Sequence, residues 1–169
     1  MSKSINELHS DLFSAESDEQ FASPLEARKK AMDFLARREY GRNELVTKLE
    51  ARGFHHDVAA ESVDRLASQG LQDDQRFVET FVQSRIRQGK GPLRIGQELS
   101  ERGLVAGLVD QILGTLETDW SELASDVRIK KFGPHIPADF KEKARQMRFL
   151  QYRGFDSEQI RSAVDKNNN

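Results

Sequence analysis

Basic side chains carry most of the chemistry this sequence could do. Between Arg128 and Arg153, 26 residues hold eight cations against two acids (Asp139 and Glu142), a local net of +6. The cations are Arg128, Lys130, Lys131, Lys141, Lys143, Arg145, Arg148 and Arg153. Lys141, Arg145 and Arg148 recur at helical spacing and so share one helix face. The middle of the chain adds Arg76, Arg85, Arg87, Lys90, Arg94 and Arg102. A face of one sign creates a field that steers a polyanion toward it. The expected binding set is therefore Arg85, Arg87, Lys90, Arg94, Lys130, Lys131, Lys141, Arg145 and Arg148. Its partner is either the phosphates of a nucleic acid or an acidic protein face. For Lys130 and Lys131 alone, favourable placement at a helix C-terminus is a sufficient explanation.

Other chemistries lack their parts. There is no cysteine, which removes thiol catalysis, disulfides and thiolate metal sites together. His55 and His56 are adjacent and point in different directions on a helix, and His9 and His135 have no partner at metal spacing. Gly89-Lys90-Gly91 lacks the spacer, the following Ser or Thr and the preceding strand of a phosphate loop; it reads as a mobile connector, with Pro92 starting the next helix. The carboxylates sit beside Lys and Arg on helix faces, as solvated pairs do. Neither an enzyme, a cofactor nor a metal is expected. Phe132 and Tyr152 lie among the bases, but recognition of a single strand by stacking needs a platform of several exposed rings.

The chain as a whole is not basic: 26 Lys and Arg face 28 Asp and Glu across 169 residues, a net of -2. A generic polyanion binder would be positive overall. The imbalance is local, because Met1 to Ser23 holds Glu7, Asp11, Glu16, Asp18 and Glu19 against Lys3 alone. Residues 1–23 read as a mobile acidic tail with one short helix around Ile5 to Phe13, or functionally as a tether or a decoy that masks a basic face. No apolar run reaches the roughly 18 to 20 residues of a membrane span, and the start has no apolar core of a signal peptide. A cytoplasmic protein, monomeric and without a membrane partner, is the expectation.

The elements that must position the cations are helices. Ser23-Pro24-Leu25-Glu26 reads as a capping box with Pro at the first helical position. Leu25, Arg28, Met32 and Leu35, with Ala31 and Phe34, then repeat at the three- and four-residue spacings of one buried face. No sustained alternation marks a strand. Arg52-Gly53-Phe54, Arg102-Gly103-Leu104 and Arg153-Gly154-Phe155 repeat one punctuation, with successive glycines 50 and 51 positions apart. Each closes a helix through a left-handed Gly, and the apolar residue after it folds back over the last turn. One helix precedes each capped helix and another follows it. The expected fold is all-α: three tandem three-helix repeats forming an elongated, curved array, over 24–70, 71–118 and 119–167.

The residues resemble a known family. Gly70-Leu71-Gln72-Asp73-Asp74-Gln75-Arg76-Phe77-Val78 is similar to the opening of the middle repeat of the RecX regulators. Arg85, Gly89-Lys90-Gly91-Pro92-Leu93-Arg94-Ile95, Glu98-Leu99 and Gly103 match the signature that follows, and Glu44-Leu45, Lys48-Leu49 and Gly53-Phe54 match the first repeat. Gly41 stands where the family commonly has a Ser cap. The likeness spans about residues 24 to 167. It implies a regulator, not an enzyme, that binds the RecA recombinase filament on DNA and restrains strand exchange and ATP hydrolysis in DNA repair. The residue-level rival is a stand-alone DNA-binding helical protein, which would bind DNA strongly and with steep salt dependence. For a RecX protein, single- or double-stranded DNA binding without the recombinase is expected to be weak.

Overall fold

The computed structural model describes residues 21–165. The expected mobile tail, with its short helix around Ile5 to Phe13, lies outside them up to Gln20, as do residues 166–169. Among the described residues the regular structure is helical throughout: α1 (Pro24–Leu35), α2 (Arg42–Glu50), α3 (His56–Ser68), α4 (Asp74–Arg87), α5 (Pro92–Ser100), α6 (Ala106–Thr115), α7 (Trp120–Phe132), α8 (Phe140–Arg153) and α9 (Ser157–Asp165). The chain divides into two compact units, with the boundary between Phe77 and Val78 inside α4.

The three glycine caps form as expected. Gly53, Gly103 and Gly154 have φ of +98°, +76° and +91°, a region that a side chain penalises. Behind each, the same two hydrogen bonds close the helix end. The N–H groups of Phe54, Leu104 and Phe155 donate to the carbonyls of Leu49, Leu99 and Leu150, at 3.2 Å each. The glycine N–H groups donate to Glu50, Ser100 and Gln151. This paired closure satisfies carbonyls that the helix leaves free, and Phe54, Leu104 and Phe155 are buried.

In the first unit, α3 packs on both α1 and α2. The buried side of α1 is Ala27, Ala31 and Phe34, whereas Leu25 and Met32 are exposed. The reading of Leu25 and Met32 as core is corrected here: Ala27 and Ala31 lie one turn apart, and their small side chains let α3 approach closely. Phe21 already packs against Phe54, with ring centroids 5.7 Å apart and nearly perpendicular planes. Its carbonyl accepts from the N–H of His55 at 3.3 Å. Packed structure thus begins ahead of Ser23, whose hydroxyl accepts from the N–H of Glu26 at 3.4 Å.

Helix α2 starts at Gly41 without a side-chain cap of its own. The cap comes from a distant residue: Asp74 Oδ1 accepts from the N–H of Arg42 at 2.7 Å and from Gln72 Nε2 at 2.9 Å. Buried Gln72 also donates to the carbonyl of Tyr40 at 3.1 Å. Asp73 meanwhile accepts from the N–H of Arg76 in the first turn of α4. The two adjacent acids therefore serve two different helices. Replacing Asp74 by Ala is expected to cost about 1 kcal/mol, the usual worth of an N-cap. Thermal denaturation would check this; an unchanged midpoint would mean that water replaces the carboxylate.

In the second unit, α7 and α8 both pack on α9, and Ala124, Leu150, Phe155, Ile160, Ala163 and Val164 form the core. Helix α5 meets the end of α8 directly: the N–H groups of Gly91 and Leu93 donate to the carbonyls of Arg153 and Gly154 at 2.9 and 3.0 Å. The free donors at one helix start and the free acceptors at another helix end thus satisfy each other. The Gly89-Lys90-Gly91 connector, expected to be mobile, is anchored at Gly91 by this bond and at Lys90 by an ion pair.

Candidate polyanion-binding surface

All nine cations expected to bind lie in the second unit, and the structure sorts them into three groups. Arg85 at the end of α4, Lys90 in the connector and Arg94 on α5 converge on one carboxylate, Glu98. The distances are 2.7 Å from Arg85 Nε, 2.5 Å from Lys90 Nζ and 3.2 Å from Arg94 Nε. Glu98 keeps only 10% of its side chain exposed. Burial by itself would push its carboxyl up; the hydrogen bonds from Lys90, Arg85 and Arg94 outweigh it and hold the pKa down to about 2. Arg85 also lies over the ring of Phe81 at 4.1 Å, and Arg102 lies over the same ring at 4.8 Å. The cluster ties α4, the connector and α5 together. Arg94 is its most exposed cation, at 41%.

The second group lines a cleft of about 480 Å³. Arg87 closes α4, Lys130 and Lys131 close α7, and Arg153 closes α8. All four side chains line this cleft, facing a single acid, Asp126. Arg153 Nη1 donates to the carbonyl of Gln88 at 2.9 Å, and its guanidinium lies 5.3 Å from the centre of the Phe149 ring. Three helix ends account for part of this charge, since each presents roughly half a negative charge. Four cations still exceed that and Asp126 together.

The third group, Lys141, Arg145 and Arg148, is exposed along α8 as the helical spacing predicts. Arg145 pairs with Glu142 at 3.0 Å and lies 5.1 Å over Phe132. Phe132 in turn meets Phe149 edge-on at 5.3 Å, which links this face to the cleft. Lys143 is drawn away by an ion pair with Asp165 at 2.5 Å.

One cation leaves the basic run altogether. Arg128 is 1% exposed. Its guanidinium donates to the carbonyls of His135 at 2.9 Å and Pro134 at 3.4 Å, so it shapes the link between α7 and α8 rather than the surface. Two residues gain importance that the sequence reading did not give them. Arg153, counted in the basic run but outside the expected binding set, joins the cleft. Glu98 was read as part of a signature and holds three cations. The signal for Glu98 was available: Arg94, Glu98 and Arg102 stand four apart on one face. Tyr152 is exposed and lines a separate groove with Leu93 and Arg94. His56 lies 2.9 Å from Glu50, and among the described residues no three His, Cys, Asp or Glu converge as a metal site would require. No helix among them is long and apolar enough to cross a membrane.

Recurrent three-helix units with repeated glycine caps, and cations gathered from several helix ends, define a helical-repeat protein with a basic face. Family models give it a closer place. The models described as the first, second and third three-helix domains of RecX match residues 27–66, 73–113 and 117–164 in that order. The chain belongs to the RecX family. It is 45% identical over 137 residues to the regulatory protein RecX of Halorhodospira halophila, covering 81% of this chain and 85% of the relative. It is 44% identical over 138 residues to that of Pseudomonas entomophila, covering 82% and 89%. The crystal structure of RecX from Lactobacillus salivarius superimposes with a TM-score of 0.71 at 20% identity, over 85% of this chain and 96% of that one. A second crystal structure of a regulatory protein RecX gives 0.73, also at 20% identity, over 94% and 78%. The resemblance read from the sequence and the all-α class are both borne out. This is a protein of a regulatory family, and the stand-alone DNA-binding reading is not favoured.

Proposed function

We propose that this protein binds a RecA-type recombinase filament on DNA and restrains its strand exchange and ATP hydrolysis. Membership of a family of regulators supports that reading. The observation that carries it is the gathering of Arg87, Lys130, Lys131 and Arg153 around one cleft, with Lys141, Arg145 and Arg148 exposed along α8. A recombinase filament on DNA is a dense polyanion, and contact with it releases counterions. The protein acts by occupancy, as a cytoplasmic monomer with no turnover of its own. In the Glu98 cluster, Arg94 has the most exposure with which to reach the filament; Arg85 and Lys90 support the surface from beneath it.

The test is single-strand-stimulated ATP hydrolysis and strand exchange by a RecA recombinase, with and without the protein. Inhibition is expected, and it should weaken as salt rises, because exposed charges are screened over about 10 Å at 0.1 M. The double variant Arg145→Glu with Arg148→Glu should inhibit more weakly, by about tenfold in the concentration needed, with helix content unchanged. Both side chains are exposed, and the neighbouring core residue Leu150 is untouched. A double variant that inhibits as well as the parent at every salt concentration would remove α8 from the binding surface. No effect of the parent on either activity would overturn the regulator reading itself.

A further inference from the structure

We infer that the cleft closed by Arg87, Lys130, Lys131 and Arg153 seats one unpaired nucleotide of a single DNA strand, base inward and phosphate at the rim. The inference rests on the regulator reading above and deepens it by giving the surface a preferred form of nucleic acid. Its floor differs from the rest of the basic surface. Leu123 and Val127 of α7 and the ring of Phe149 on α8 line it, all three partly buried. At about 480 Å³ the cleft falls in the range that takes a small ligand rather than a helix or a duplex. An apolar floor with a planar ring under a rim of four cations matches a ligand that carries a flat, weakly polar plate beside an anion. A nucleotide has that construction, and seating a single base takes one ring and one guanidinium rather than the platform of several rings that a run of bases requires.

The guanidinium of Arg153 sharpens this. Its hydrogen bond to Gln88 and its position over Phe149 hold the planar group at the cleft wall. A held guanidinium presents a face on which a base can stack. Lys130 and Lys131 are exposed, and the flexible stem of a lysine lets its ammonium follow a phosphate. A duplex offers the same phosphates, but its bases are already stacked on one another, so the floor would go unused. The single acid, Asp126, sits in the same cleft and disfavours a second anionic group there. An acidic peptide would supply the charge and, with an aromatic residue, the plate. It places one ring among several carboxylates, where the cleft offers one apolar floor for each small group of cations.

The experiment is fluorescence anisotropy with the full-length protein and no recombinase, using a labelled oligothymidylate. Three competitors follow: the same length of duplex, an abasic strand with an intact phosphate backbone, and a Glu-rich peptide containing Phe. The oligothymidylate should bind at least fivefold more tightly than the abasic strand, and more tightly than the duplex. Lys130→Glu with Lys131→Glu should weaken the oligothymidylate by about tenfold, whereas the exposed α9 change Arg161→Glu should leave it within about twofold. Equal binding of normal and abasic strands would overturn the seating of a base. Equal binding of duplex, or tighter binding of the peptide, would overturn the single-strand preference. These comparisons on the parent protein hold even if the lysine variant fails to fold. Failure here with filament inhibition intact would end this inference and leave the regulator reading standing.

Discussion

Replacing Gly154 by Ala is expected to destabilise the second unit by about 3 kcal/mol. Two costs add. At φ +91° a Cβ is strained, worth roughly 1–2 kcal/mol. A Cβ there would also run into the backbone and Cβ of Arg94 on α5, and overpacking of this kind adds roughly 1–3 kcal/mol. The obstacle is main chain, so no side-chain rotation relieves it; α5 itself must withdraw, and the hydrogen bonds from Gly91 and Leu93 to the end of α8 would break with it. Two further variants separate the costs. Gly70 has φ +70° but open space where a Cβ would go, so Gly70→Ala should lose only about 1 kcal/mol. Gly91 has an ordinary φ of -81° but faces the carbonyl of Gly154, so Gly91→Ala carries the steric cost without the strain. Urea denaturation of the three should rank Gly154 first, Gly91 second and Gly70 last. Equal midpoints for Gly154→Ala and Gly70→Ala would show that α5 and α8 are not closely seated.

The ranking also shows which parts of this fold were legible in the sequence. Gly53, Gly103 and Gly154 announce themselves, because a left-handed cap leaves a local signature: Gly, then an apolar residue, after a periodic helix. Nothing local distinguishes Gly154, whose neighbour is Arg94 sixty residues away, from Gly53. The same limit explains Asp74, which caps α2 from a position 32 residues on, and whose helix looked uncapped from its own sequence. It also explains α1, where Leu25 and Met32 matched the helical period as well as Ala27 and Ala31 did. Periodicity marks a stripe, but the small residues in it decide how closely a neighbour approaches. Among the cations, charge and spacing placed Lys141, Arg145 and Arg148 on one face. They could not show that Arg128 turns inward to the carbonyls of Pro134 and His135, nor that Arg153 lines one cleft with Lys130.

Glu98 gives the largest electrostatic effect expected. Its carboxyl titrates near 2 in the folded protein and near 4.5 when unfolded, so its pKa is depressed by folding. A depressed carboxyl stabilises the fold fully above the unfolded value, and that contribution is lost as pH falls from about 4.5 through about 2. The separation corresponds to about 3 kcal/mol at neutral pH. Glu98→Gln keeps the shape and removes the charge. It leaves Arg85, Lys90 and Arg94 converging with no anion among them, and Arg85 and Lys90, both largely withdrawn from water, are costly without a partner. The variant should therefore be less stable than the parent by about 3 kcal/mol at pH 7, and the two should approach each other near pH 2. Glu142→Gln removes the charge beside exposed Arg145 and keeps an oxygen that can accept from Gln146, so it should change stability by no more than about 0.5 kcal/mol at any pH. Denaturation of the three proteins between pH 2 and pH 7 measures this directly. A parent and a Glu98→Gln variant that lose stability in parallel across that range would mean that Arg85, Lys90 and Arg94 are held apart by solvent. The carboxylate would then no longer account for how the middle-repeat cations are placed.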